Sequence, residues 1–300
     1  MGLEPWIAAA RPKTLTAAVV PVVVGSVLGA EIAPEVEFRW SLSGAALLSA
    51  GAIQVGTNYF NDVIDFEKGA DTAARIGPTR ITQSGGASPH AVYRAALGTF
   101  LVALLFGSYL VWHGGAPIVV IGLLSFFFGY TYTGGPFPLA YRGLGDLFVL
   151  IFFGLIAVTG MVFLHTGGWP LEGVIAGLQV GALAVVLIAI NNLRDRETDA
   201  VVNKRTLAVR LGERGAKLEI AALLMLPFFV GLYWFETRFS WAGILPLVLL
   251  PLAVRVARDI WVITPSAELN RYLGKCAFIH LAFGLLLATG FIVGAVPLGN

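Results

Sequence analysis

The chain has 300 residues, 57% of them hydrophobic and only 13% charged, with a mean hydropathy of +0.80. Soluble domains carry about 25% charged residues, so the composition excludes an ordinary soluble globule and points to a polytopic protein in a lipid bilayer. A net charge of +2 is too small to suggest nucleic acid, and the single Cys276 excludes an internal disulfide and any cysteine-based metal site.

The first 13 residues read as an interfacial lead-in, with Trp6 at headgroup depth and Arg11-Pro12-Lys13 marking entry into the first span. The opening Met-Gly-Leu-Glu-Pro-Trp lacks the basic region and cleavage site expected of a signal peptide. Nine apolar runs follow that are long enough to span, since about 20 residues cross the hydrocarbon core. They lie near 15–33, 42–60, 92–112, 116–132, 147–164, 171–190, 218–235, 241–256 and 276–296, the eighth interrupted by Pro246 and Pro251. No low-complexity linker divides them, so residues 1–300 are expected to form a single all-α transmembrane domain. With a cytoplasmic N-terminus, only Arg39 and Arg238 of the 20 Lys and Arg fall outside the cytoplasmic segments. The positive-inside rule then predicts a multi-pass protein of the inner (plasma) membrane with its C-terminus extracytoplasmic.

The second run ends in Asn58-Tyr-Phe-Asn61-Asp62-Val-Ile-Asp65-Phe-Glu-Lys68-Gly69-Ala-Asp71. Asn58, Asp62 and Asp65 share one face of a helix, and Gly69 is a natural helix end that leaves Asp71 on the loop beyond. An acidic side chain inside a span costs about 2.5–3.5 kcal/mol at mid-depth, so this cluster calls for a cationic partner. The sixth run ends similarly in Asn191-Asn192-Leu-Arg194-Asp195-Arg-Glu-Thr-Asp199, followed by Lys204-Arg205-Thr206. Asn192, Asp195 and Asp199 are again expected on one helical face. The two motifs lie on the same side of the membrane, as in a weak parallel repeat whose halves face a central cavity. Oxygen-rich sites of this kind suit Mg²⁺, which is commonly held by one or two carboxylates with substrate phosphates. Lys68, Arg75, Arg80, Lys204 and Arg205 stand ready to neutralise a diphosphate.

A third polar stretch, Phe126-Phe-Phe-Gly-Tyr130-Thr-Tyr132-Thr-Gly-Gly-Pro-Phe-Pro138, leads into Tyr141-Arg142-Gly-Leu-Gly-Asp146. Aromatic faces such as those of Tyr130 and Tyr132 can stabilise a carbocation, and an interfacial aromatic belt accounts for them equally well. Transport is the competing function, but transporters place their sites near the midplane, whereas these acids lie at span ends. A CDP-alcohol phosphatidyltransferase would need an Asp-Gly-x-x-Ala-Arg signature, which the sequence lacks.

Asn61-Asp62-Val-Ile-Asp65 after the second span and Asp195-Arg-Glu-Thr-Asp199 after the sixth resemble the paired motifs of the UbiA superfamily of intramembrane aromatic prenyltransferases. Within it, four stretches look like the 1,4-dihydroxy-2-naphthoate prenyltransferase branch: Arg11-Pro-Lys-Thr-Leu15, Lys68-Gly-Ala-Asp71, Arg75-Ile-Gly-Pro-Thr-Arg80-Ile-Thr-Gln-Ser-Gly85, and Asn191 through Gly212. The resemblance implies nine helices around a central cavity open to the cytoplasmic face. It also implies Mg²⁺ on Asp62, Asp65, Asp195 and Asp199, with Asp71 nearby, holding an isoprenyl diphosphate. Asn58 and Asn192 would complete the metal shell and Lys68, Arg80, Lys204 and Arg205 would neutralise the leaving group. The acceptor would be 1,4-dihydroxy-2-naphthoate, with Arg142 near its carboxylate; 4-hydroxybenzoate or homogentisate is the alternative, and a polyprenyl or a phytyl donor is open.

Overall fold

The computed structural model describes residues 2–71, 76, 77 and 79–295. Its elements are α1 (Glu4–Ala10), α2 (Thr16–Ile32), α3 (Trp40–Glu67), α4 (Pro89–Thr131), α5 (Gly145–Leu150), α6 (Ala157–Thr166), α7 (Leu171–Arg194), α8 (Arg196–Val201), α9 (Leu207–Val230), α10 (Ser240–Ile244), α11 (Leu250–Val262) and α12 (Leu269–Ala295). No strand occurs among the described residues. Lipid offers no hydrogen bonds to the backbone, so helices that satisfy their own amides are the expected solution.

Among the described residues, six helices are long and apolar enough to cross a membrane, or seven if the bent pair Glu4–Thr14 and Thr16–Ile32 is one span. The expected nine is not reached on that criterion, for two physical reasons. Ser, Gly, Gln and Asn interrupt the apolar stretch of α3. And α4 passes as one helix of 43 residues, although Gly115, with φ 60 and ψ −147, breaks it in two. The rings of Phe100 and Phe126 lie 5.2 Å apart, whereas 26 residues of straight helix would separate them by about 39 Å. The break therefore folds α4 into a hairpin.

α7 is the most enclosed candidate span, with 78% of its apolar window buried. Small residues let it pack closely. A Cβ on Gly154 would stand 2.5 Å from the Gly177 carbonyl oxygen and 2.5 Å from the Gly181 Cα, so the backbones touch where Gly177 and Gly181 sit one turn apart. Gly154 lies in a π-helical stretch, Ile151–Ile156, that joins α5 to α6. On its other side α7 packs into a core with α2, α9, α11 and α12 that includes Leu183, Ile190, Ile220, Trp234 and Phe283. Gln179, 1% exposed within this core, is satisfied: it donates to the Pro227 carbonyl at 2.8 Å and accepts from Trp234 Nε1 at 2.8 Å. Pro246 and Pro251 have the expected effect, since a 3₁₀ turn over Leu245–Leu249 separates α10 from α11.

Candidate active site

α3 runs without interruption through the first acidic motif to Glu67, and Gly69 then takes φ 69, so Asp71 falls on the loop as expected. The second motif is different from its expected single face. α7 stops at Arg194, Asp195 takes non-helical angles (φ −92, ψ 6), and the short α8 carries Asp199. The helix is thus interrupted at Asp195 itself, whose carbonyl still accepts the Asp199 amide at 2.8 Å.

Lys204 joins the motifs. Its Nζ lies 3.5 Å from Asp65 Oδ2 and 3.8 Å from Asp199 Oδ1, so carboxylates from the two halves face one positive charge. Asp65 also accepts from the Tyr141 hydroxyl at 2.8 Å and pairs with Arg80 Nη2 at 3.5 Å. Arg80 Nε is in turn 3.4 Å from Asp71 Oδ2. Burial, then the Asp65 carboxylate, raises the Tyr141 phenol well above its ordinary range, so it stays protonated and donates. Lys68 donates to the Thr133 carbonyl at 2.6 Å and stands 4.5 Å from the Tyr141 ring centre; burial lowers its ammonium from the usual value.

Two of the expected carboxylates have other partners. Asp62, fully buried, accepts the Ile81 and Thr82 amides at 3.1 and 3.0 Å, and so anchors the loop that presents Arg80. Asp195 receives both Nε and Nη2 of Arg194, at 2.8 and 2.6 Å. The same guanidinium reaches Asn191 and Asn270 through Nη1, at 2.8 and 2.6 Å. Asn58 donates to the Ala10 carbonyl at 3.0 Å. Arg205 is exposed and bonded to Asn203, Arg142 is exposed and stacked 3.7 Å from the Phe137 ring centre, and Tyr130 packs edge-on against Phe60. Asn192 is half-buried near the end of α7, and Arg75 lies outside the described residues. Sequence reasoning placed Thr133, Tyr141 and Arg194 in motif stretches without giving them a role, and it missed Asn270, which no local pattern marks.

Two cavities meet beside this cluster. One, of about 450 Å³, is walled by apolar side chains including Phe126, Phe128, Phe148, Phe152 and Met161. The other, of about 110 Å³, is lined by Arg11, Gln54, Asn58, Asn61, Asn191 and Tyr132 among others. Ala17, Thr57, Tyr132, Val149 and Phe153 border both. Asn58 and Asn61 sit on the helix that carries Asp62 and Asp65, about one turn away. The apolar cavity suits a hydrocarbon chain and the smaller one a compact polar molecule.

Among the described residues no three His, Cys, Asp or Glu side chains are grouped to hold a metal. The donor chemistry nevertheless suits Mg²⁺, which needs only one or two protein carboxylates beside phosphates and water. Asp65 and Asp199 already share a cation.

Residues 18–295 match the profile of the UbiA prenyltransferase family. This chain belongs to that family. It is 34% identical to the 1,4-dihydroxy-2-naphthoate octaprenyltransferase of Haemophilus influenzae, over 97% of each chain. It is 36% identical to the Escherichia coli protein of the same name, over 86% of this chain and 85% of the other. Among solved structures, a UbiA homolog from Archaeoglobus fulgidus bound to DMAPP and Mg²⁺ superposes with a TM-score of 0.65 at 15% identity, covering 95% of this chain and 99% of that one. At that identity the likeness speaks for the UbiA fold alone.

Proposed function

We propose that this UbiA protein transfers a prenyl group from its diphosphate to 1,4-dihydroxy-2-naphthoate, with loss of CO₂, as a step in menaquinone or phylloquinone synthesis. The observation that carries the reading is the junction at Tyr132. There an apolar chamber and a polar one share a wall within about a helical turn of acids and bases drawn from both halves of the chain. The names of the curated relatives favour the naphthoate ring over 4-hydroxybenzoate or homogentisate.

Asp65 and Asp199 would hold Mg²⁺, with Asp62, Asp71 and Asp195 at its margin, and Asn58 and Asn192 as further oxygen donors. When bound, the ion supplies charge neutralisation to the departing diphosphate. Lys68, Arg80 and Lys204 share that work as preorganised positive groups in a site with little water. Arg75 and Arg205 belong to the same basic set. Tyr141 holds Asp65 in orientation by its hydrogen bond. The apolar chamber takes the tail and keeps water from the allylic carbon. That carbon bonds to the ring as its bond to diphosphate oxygen breaks; the ring–carboxylate bond then returns its electron pair to the ring and CO₂ leaves.

We read the topology as nine crossings, with the N-terminus cytoplasmic, in the inner membrane. The hairpin at Gly115, the bent entry into α2 and the length of α3 support the count; the distribution of Lys and Arg supports the orientation.

The test is incubation of purified protein with the naphthoate, several isoprenyl diphosphates and Mg²⁺. The product should appear by mass without its carboxyl group, and CO₂ should be released in equal amount. Faster prenylation of hydroxybenzoate at matched concentrations would move the chain to another branch of the family.

A further inference from the structure

We propose that the small polar cavity is the seat of the aromatic acceptor and that Arg11 grips the carboxylate of its ring; this rests on the proposed function and assigns its acceptor site. Among the described residues that line this cavity, Arg11 is the only charged one. The rest divide into carboxamides and hydroxyls (Gln54, Asn58, Asn61, Asn191, Thr14, Thr57, Tyr132) and an apolar wall formed by Phe153, Ile188 and Val149 among others. One cation, several neutral hydrogen-bonding groups and a flat apolar side describe a small aromatic monoanion bearing hydroxyls. They do not describe a diphosphate, whose several charges are better met by Lys68, Arg80 and Lys204.

The backbone supports the assignment. Arg11 takes left-handed angles, φ 55 and ψ 65, a conformation that is uncommon for any residue other than glycine and unusual before a proline. Such strain persists only where neighbours enforce it. They do so here: Asn58 holds the Ala10 carbonyl, Tyr59 donates to the Trp6 carbonyl at 3.2 Å, and Thr14 Oγ1 donates to the Arg11 carbonyl at 3.0 Å. α1 is thereby strapped across α3, and the guanidinium is turned inward with Nη2 buried and within electrostatic reach of the Tyr132 hydroxyl. Tyr132 borders both chambers, so a ring held here faces the prenyl carbon. A guanidinium fork suits a carboxylate through two parallel hydrogen bonds. Once the carboxylate has left as neutral CO₂, the product has lost the group that Arg11 holds, which favours its escape into the bilayer.

The experiment compares paired rings with and without the carboxylate: 1,4-dihydroxy-2-naphthoate against 1,4-naphthalenediol, and 4-hydroxybenzoate against phenol. Thermal stabilisation of detergent-purified protein reads binding without turnover, and KM is measured alongside. For Arg11→Gln the carboxylated ring should bind roughly ten- to hundredfold more weakly, the range for loss of a charged hydrogen bond, while the carboxyl-free ring is unaffected. Arg11→Lys should fall between. Stabilisation by isoprenyl diphosphate with Mg²⁺ should be unchanged in both, which also shows that they fold. An undiminished preference for the carboxylated ring in Arg11→Gln would overturn the assignment. So would a KM for the diphosphate that rises by the same factor. If the wild type binds and prenylates only hydroxybenzoate, the naphthoate reading fails, while the second pair of rings still scores Arg11.

Discussion

At the scale of single residues, the acids of the two motifs are chemically alike in sequence and unlike in their surroundings. Asp65 faces Lys204, Arg80 and Tyr141, whereas Asp62 faces two backbone amides. Substituting each by Asn should therefore fail in different ways. Asp65→Asn and Asp199→Asn keep size and lose charge where the proposed metal and leaving group would meet, so Mg²⁺-dependent turnover should fall by about 10²–10³, or about 3–4 kcal/mol of transition-state stabilisation. Their melting temperatures should change little. Asp62→Asn has one carbonyl oxygen for two amides and turns an N–H₂ toward the other. It should cost about 1–3 kcal/mol of stability and make the loop near Ile81 easier to cleave by protease, in addition to slowing the reaction. Equal melting temperatures for Asp62→Asn and Asp65→Asn would remove the anchoring role. The identity of these acids was legible in their spacing. Their division of labour was not, because Asp65 meets Tyr141 and Lys204 across 76 and 139 positions of chain, and no local pattern encodes that. Arg142 shows the same limit: its charge suggested the acceptor carboxylate, yet it lies exposed on Phe137.

At the scale of elements, hydropathy located the apolar runs and the gap at 113–115, while Gly69, Pro246 and Pro251 located the breaks at Gly69 itself and at Leu245–Leu249. Two interruptions carried no such mark. The turn at Asp195 falls within a good helical pattern; Arg194 clamps the Asp195 carboxylate beside it and ties the turn to the distant Asn270. The π-helical stretch Ile151–Ile156 inserts its extra residue where Gly154 meets Gly177 and Gly181. Single-turn π segments recur at functional sites, and here Phe152 and Phe153 from this stretch line the apolar chamber. The glycine contact is therefore expected to govern assembly of the chamber wall. Gly181→Leu would drive a side chain into the Gly154 Cα, which a Cβ alone would approach to 2.9 Å. Overpacking of this kind costs about 1–3 kcal/mol or more. The melting temperature in detergent should drop, and the recovered monodisperse fraction with it. Gly98→Ala, at a site where an added Cβ meets nothing within 4 Å, should leave both unchanged.

At the scale of the whole molecule, the charge asymmetry and the span count constrain one another. Nine crossings put the C-terminus opposite the N-terminus and put the Gly115 turn on the extracytoplasmic side, with Arg39 and Arg238. Taking α4 as a single crossing would instead carry that turn into the bilayer, where a residue such as Trp112, 86% exposed, would face lipid at mid-depth. The ring contact between Phe100 and Phe126 argues for the hairpin, and a labelling experiment can test it directly. Cys276 is the only cysteine of the chain and is 2% exposed, so it should react slowly and leave a quiet background. In a Cys276→Ser chain, Trp112→Cys should be modified in intact cells by a membrane-impermeant maleimide, whereas Arg196→Cys, on the face that carries the acidic motifs, should react only after permeabilisation. A reporter fused after Asn300 should behave as extracytoplasmic. Protection of Trp112→Cys in intact cells, together with a cytoplasmic reporter, would mean an even number of crossings. The site would then keep its chemistry, but the charge count would have misassigned which segments share the cytoplasmic face.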